Sequence, residues 1–184
     1  MRCGIIIAFV LAVLACLCGC NSTPTTSYSA EEQLIGGKLS DLGIVLPEIA
    51  RPVAAYVNVV RSGKLLFVAG QLPIREGRVL FTGKVGRDID LHQAQEAARL
   101  CVINALVALK NELGSLGRIR RIVRVEVFVN SADGFTGQAQ VANGASLLLQ
   151  QIFDEAGKHA RMAVGVAELP LNATVEIAMI VERK

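Results

Sequence analysis

The stretch Ile119-Arg120-Arg121-Ile122-Val123-Arg124-Val125-Glu126-Val127-Phe128-Val129 decides the fold class. Val123, Val125, Val127 and Val129 alternate with Arg124, Glu126 and Phe128, the period of a strand that lays one side on a core. Before it, residues 90–113 carry Leu91, Ala94, Ala98, Cys101, Ala105, Leu109 and Leu113 at spacings of three or four and stop at Gly114. That spacing predicts a long helix. After it, a second helix is predicted over residues 141–156, ended by Gly157. Residues 56–60 and 65–69 flank the turn Arg61-Ser62-Gly63-Lys64 and read as a hairpin. Two more strands, residues 162–167 and 174–182, close the chain. Strands, helix, strand, helix, strands predicts an α+β domain in which two helices pack on one face of a single sheet. The opposite face would set Arg124, Glu126, Glu176 and Ala178 beside Phe128 and Ile180. Such a half-apolar surface predicts cover by further copies of the chain.

Composition narrows the function. The 184 residues carry a formal charge of +3, no Trp and 2 Tyr. The core must therefore be aliphatic, and stacking platforms for single-stranded nucleic acid are not expected. The run Arg118, Arg120, Arg121 and Arg124 is the one basic cluster, and it reads as a solvated loop entering a strand. No nucleic-acid partner is expected. Of 5 cysteines, only Cys101 lies in the body, inside the helical pattern, where it reads as a buried small hydrophobe. No disulfide framework is implied.

The first residues read as an address. Arg2 gives a positive start, and residues 5–17 form an apolar run of about 13 residues, short of the roughly 20 needed to span a bilayer. The run ends in Leu17-Cys18-Gly19-Cys20, followed by Asn21-Ser22-Thr23-Pro24. This is similar to a bacterial lipobox, with Cys20 as the lipidated residue and Cys16 as a competing acceptor. The reading is a signal peptide over residues 1–20, a polar tether over 21–30 and one domain over 31–184. It makes the protein an exported lipoprotein, anchored to a membrane through its N-terminal lipid, on the periplasmic side or the outer membrane in a two-membrane host. Cleavage without lipid and an uncleaved anchor are the alternatives. In the domain, Ser29-Ala30-Glu31-Glu32 opens a helical stretch with Leu34, Leu39 and Leu42 on its apolar side and Gly43 as its stop.

Three segments carry a resemblance. They are Phe67-Val68-Ala69-Gly70-Gln71-Leu72-Pro73, then Val125-Glu126-Val127-Phe128-Val129, and finally Ala160-Arg161-Met162-Ala163-Val164-Gly165-Val166-Ala167-Glu168-Leu169-Pro170 with Val175-Glu176-Ile177. Together they resemble the Rid family, also called YjgF or endoribonuclease L-PSP-like, in a less-studied branch. The resemblance spans roughly residues 42–182. It implies a chorismate-mutase-like fold, a homotrimer with sites in the clefts between subunits, and hydrolysis of enamine and imine intermediates to 2-keto acids and ammonia. Carried over, Arg161 matches the arginine that grips the substrate carboxylate, and Glu176 the carboxylate associated with the attacking water. Tyr56, Gly70 and Asn143 match substrate-binding positions. Ala163 stands where some members carry cysteine.

The chemistry suits those residue types. The arginine fork binds a planar carboxylate through two parallel hydrogen bonds. A carboxylate can then orient and deprotonate water beside the fixed imine carbon. No cofactor is needed, and no metal is expected, because His92 and His159 lack any paired ligand spacing. Three functions follow: an imine deaminase working outside the cytoplasm, a non-catalytic small-carboxylate-binding module, or a ribonuclease. The last is disfavoured by weak charge and by the expectation of no general-base histidine near the signature. An export signal would also separate the chain from the cytoplasmic pyridoxal-phosphate enzymes whose intermediates such proteins hydrolyse.

Overall fold

The computed structural model describes residues 25–47 and 56–184. The signal, Cys20 and the first part of the tether lie outside the described residues. Helix α1 (Thr25–Asp41) is followed by β1 (Val59–Ser62), β2 (Leu65–Gln71) and a small ribbon of β3 (Ile74–Arg75) with β4 (Arg78–Val79). Then come α2 (Leu91–Leu113), β5 (Ile119–Asn130), α3 (Gln138–Phe153), β6 (Ala160–Val166) and β7 (Val175–Arg183). The main sheet is mixed, in the order β1-β2-β7-β5-β6. Only the β5–β6 pair is parallel, and β6 is an edge. The α+β class with one principal mixed sheet is as the sequence predicts.

Helix α2 begins where the sequence places it. The Asp90 side chain accepts from the Gln93 backbone N–H (2.8 Å) and the Gln93 side chain accepts from the Asp90 N–H (3.1 Å). This reciprocal cap satisfies two of the unpaired donors of the first turn. Leu100, Val102, Leu106 and Val107 are buried as well as the expected stripe from Ala94 to Leu113, whereas Leu91, in the first turn, is exposed. A helix apolar on nearly all sides belongs inside, and α2 packs on β2 and β7 beside α3, which covers β5 and β6. The two helices approach closely at Gly144, where a Cβ would overlap the Gln95 carbonyl oxygen and stand 2.8 Å from its carbon.

Three expectations need correction. Val123 does not share the core face of Val125, Val127 and Val129, because β5 bulges there: Ile122 pairs with Val181 and Arg124 with Ile180. The extra residue shifts the alternation by one, so Ile122 is fully buried and Val123 half-buried. The first helix starts at Thr25, inside the predicted tether, and ahead of Ser29. Its buried side is Ile35 and Leu39 rather than Leu34, which is 60% exposed. Residues 35, 39 and 42 follow the one-turn spacing, whereas residue 34 falls off that line. Glu32 docks α1, its Oε2 accepting from the Ser115 hydroxyl (2.7 Å) and the Gly117 N–H (3.0 Å). No helix among the described residues is long and apolar enough to cross a membrane.

Candidate active site

Arg161 sits on edge strand β6, level with Val125 of β5. Parallel partners point the same way, so the arginine faces the helix layer. There Nη1 donates to Asn143 Oδ1 at 2.9 Å and to Ser146 Oγ at 3.1 Å. Asn143 and Ser146 are three residues apart on α3 and therefore neighbours on its surface. Both Nη1 hydrogens are thus committed to α3. Nε and Nη2 have no partner among the described residues, and they form the edge that pairs bidentately with a carboxylate. The arginine is exposed while Ser146 is buried.

His159 continues this network. Its Nδ1 is 2.6 Å from the Gly157 carbonyl oxygen and its Nε2 is 3.1 Å from Ser146 Oγ. Burial holds the imidazole below its ordinary pKa, opposed by the Gly157 carbonyl and assisted by the Arg161 charge. A histidine therefore does stand beside the signature arginine, with both ring nitrogens engaged by Ser146 and Gly157. Sequence reading named His159 only as an unpaired metal ligand, and Ser146 drew no attention as a site residue. Both gain their meaning from α3 folding over β6.

The second group of residues centres on β7. Val175 and Ile177 are buried, so Glu176 points to the helix-free face. Opposite it β2 bulges, with Ala69 and Gly70 where β7 has only Ala178. A Cβ on Gly70 would overlap Glu176 Oε1 and stand 2.8 Å from Cδ. The carboxyl of Glu176 has no hydrogen bond or ion pair among the described residues, and burial raises its pKa. The Asn104 side-chain amide donates to the Leu72 and Ile74 carbonyls, each at 2.9 Å, and braces the chain just after Gly70. Tyr56 is 50% exposed. Its segment joins the bulge through the Ala69 N–H to Asn58 carbonyl bond at 2.9 Å. Cys101 is fully buried, its thiol donating to the Val175 carbonyl at 3.6 Å. Burial first, then the Glu176 charge, push that thiol well up.

Within one chain these two groups stay apart. Arg161 is level with Val125 and faces the helices; Glu176 is level with Phe128 and faces away from them. Tyr56 and Gly70 accompany Glu176, whereas Asn143 accompanies Arg161. Among the described residues no three His, Cys, Asp or Glu side chains converge. The basic run is largely neutralised locally, with Arg120 on Glu182 (3.2 Å) and Arg124 on Glu126 (2.8 Å).

Residues 36–183 match the family model described as "YjgF/chorismate_mutase-like, putative endoribonuclease". The chain belongs to this YjgF family. Protein TCP17 of Trypanosoma cruzi is 44% identical over 149 residues, covering 80% of this chain and 93% of that protein. The solved structure of Atu1372 from Agrobacterium tumefaciens, a protein described as of unknown function, is 44% identical with a TM-score of 0.81. It covers 88% of this chain and 99% of that one. TdcF from E. coli, solved with bound serine, is 25% identical with a TM-score of 0.51, over 74% and 94% of the two chains.

Proposed function

We propose that this YjgF-family chain hydrolyses small 2-imino acids and their enamine forms to 2-keto acids and ammonia, as a homotrimer. The carrying observation is the guanidinium of Arg161, whose Nη1 is tied to Asn143 and Ser146 while its Nε–Nη2 edge stays unengaged. A fork fixed on one side and open on the other is already organised for a planar carboxylate, so little ordering is left for binding. That the related TdcF was solved with serine supports a ligand bearing a carboxylate next to nitrogen.

Glu176 supplies the base. Its raised pKa, caused by burial, makes it a better proton acceptor than an ordinary carboxylate. It takes a proton from water as the oxygen adds to C2 of the protonated imine. The proton passes from Glu176 to nitrogen, and as the carbon–nitrogen bond breaks and ammonia leaves, the carboxylate takes the hydroxyl proton and the C2 carbonyl forms. Since Arg161 and Glu176 face opposite sides of one sheet, the cleft joins the Arg161 wall of one subunit to the Glu176 wall of its neighbour. Exposed Val60, Phe67 and Val164 on the same helix-free face support that burial between copies. Delivery by an N-terminal signal, with a lipid on Cys20, places this activity outside the cytoplasm.

The second reading is a carboxylate-binding module without turnover, and it rests on the same fork. The test is hydrolysis of 2-iminopropanoate generated in situ, with Arg161→Ala and Glu176→Gln beside the parent. Acceleration lost in both variants supports the enzyme. Pyruvate binding without any acceleration favours the module, and neither binding nor turnover removes the site. Light scattering on the mature protein reads the oligomer, and mass spectrometry of its N-terminus reads the lipid.

A further inference from the structure

The Gly157 carbonyl, which has no hydrogen to give, lies 2.6 Å from His159 Nδ1, so Nδ1 carries the proton of the neutral ring. Nε2 is then an acceptor, and the Ser146 hydroxyl at 3.1 Å must donate to it. With its hydrogen committed, Ser146 Oγ turns lone pairs outward, where Arg161 Nη1 donates at 3.1 Å. Every hydrogen in the row Arg161→Ser146→His159→Gly157 runs in one direction. Proton uptake by His159 reverses its middle. Nε2–H must then donate to Ser146 Oγ, the hydroxyl hydrogen loses its acceptor, and a second cation stands one hydroxyl away from Arg161.

We propose that His159 and Ser146 are positioning residues for Arg161, such that the neutral imidazole holds the guanidinium in its carboxylate-binding pose and protonation of the ring loosens it. Sequence and geometry isolate the effect. Helix α3 carries no charged residue. After it, Asp154 pairs with Lys38 and Glu155 with Lys158 at 2.6 Å. On β5, Arg121 donates to the Lys158 carbonyl at 3.3 Å, and Arg124 pairs with Glu126. Arg161 is the one charge that bears on the imidazole. Glu176, on the other wall of the proposed cleft, has its pKa raised by burial. Its protonation removes a negative charge and would strengthen carboxylate binding as pH falls, the opposite sign.

The inference rests on the reading of Arg161 as a carboxylate fork, and the test separates the two. Pyruvate, ionised throughout, is titrated calorimetrically into the full-length or mature protein between pH 7.5 and pH 5. Wild type is expected to weaken by about tenfold on acidification, the loss of one hydrogen bond to a charged group. His159→Gln stays neutral and can still accept from Ser146. It should bind within about threefold of wild type at pH 7.5 and lose most of the acid weakening. Ser146→Ala should weaken binding at both ends by about tenfold and flatten the profile. An unchanged acid limb in His159→Gln overturns the proposal while leaving the carboxylate fork standing. If pyruvate does not bind at all, the fork reading fails, and NMR titration of the His159 ring decides the network by itself. An upward move of its pKa in Arg161→Gln supports the coupling, and no movement in either Arg161→Gln or Ser146→Ala overturns it.

Discussion

The carboxyl of Glu176 lies directly over the Cα of Gly70, in space that any side chain at residue 70 would occupy. The β2 bulge brings the backbone of Gly70 there, and the alternation of β7 aims Glu176 at it. One residue lacks a side chain so that another can stand where it does.

Gly70→Ala should therefore displace the carboxyl without unfolding the domain, because the atoms in the way are the far end of a flexible side chain. Turnover of 2-iminopropanoate is expected to fall by about 100-fold, the usual cost of misplacing a catalytic group by about 1 Å. The melting temperature should stay within a few degrees of wild type. A variant that melts early, or one that turns over normally, would contradict the assignment.

Glu176 also has a signature in stability. Burial raises its folded pKa above the unfolded value. Its contribution is then fully present below the unfolded pKa and is lost as pH rises through the folded one. Glu176→Gln should thus melt higher than wild type at pH 7.5, with the advantage shrinking toward pH 4. Turnover should drop by about 100-fold or more in the same variant. Thermal melts across pH and the hydrolysis assay check both.

Gly144→Ala tests the helix contact that carries the Arg161 support. The added Cβ meets the Gln95 carbonyl, which is backbone and can yield only if α2 and α3 separate. A cost of about 1–3 kcal/mol is expected, at about 2–4 °C of melting temperature per kcal/mol for a domain of this size. Since Asn143 and Ser146 flank the site of strain, pyruvate binding should weaken in parallel.

Asp90→Ala removes the cap of α2, a side chain that bonds Gln93 and none of the residues named in the site. About 1 kcal/mol of stability should be lost by chemical denaturation. Turnover at 25 °C should stay within about twofold of wild type, since a change in cap leaves the folded cleft intact.

Much of this architecture is legible along the chain. The long helix, the alternation of β5 from Val125 onward and the two terminal strands stand close to where their spacing puts them, because each is a local pattern with a period of its own. The β5 bulges were not legible, since β7 imposes them from across the sheet. The stripe of α1 was misread between Leu34 and Ile35 because only its docking on residues 116–118 and α3 chooses the side.

For the site, the sequence alone determined which residues resemble a working family: Arg161, Glu176 and Gly70 lie in its motifs, and Tyr56 and Asn143 match its binding positions outside them. It also determined that Glu176 points away from buried neighbours, a matter of strand parity. Only the tertiary structure decided that Arg161 and Glu176 face opposite sides of the sheet, because that depends on β6 joining β5 in parallel at one register. It alone brought Ser146 and His159 to the guanidinium. Alternation and turn spacing are carried by neighbours in the chain, but the partner of an edge strand and the helix above it are set by contacts between distant residues.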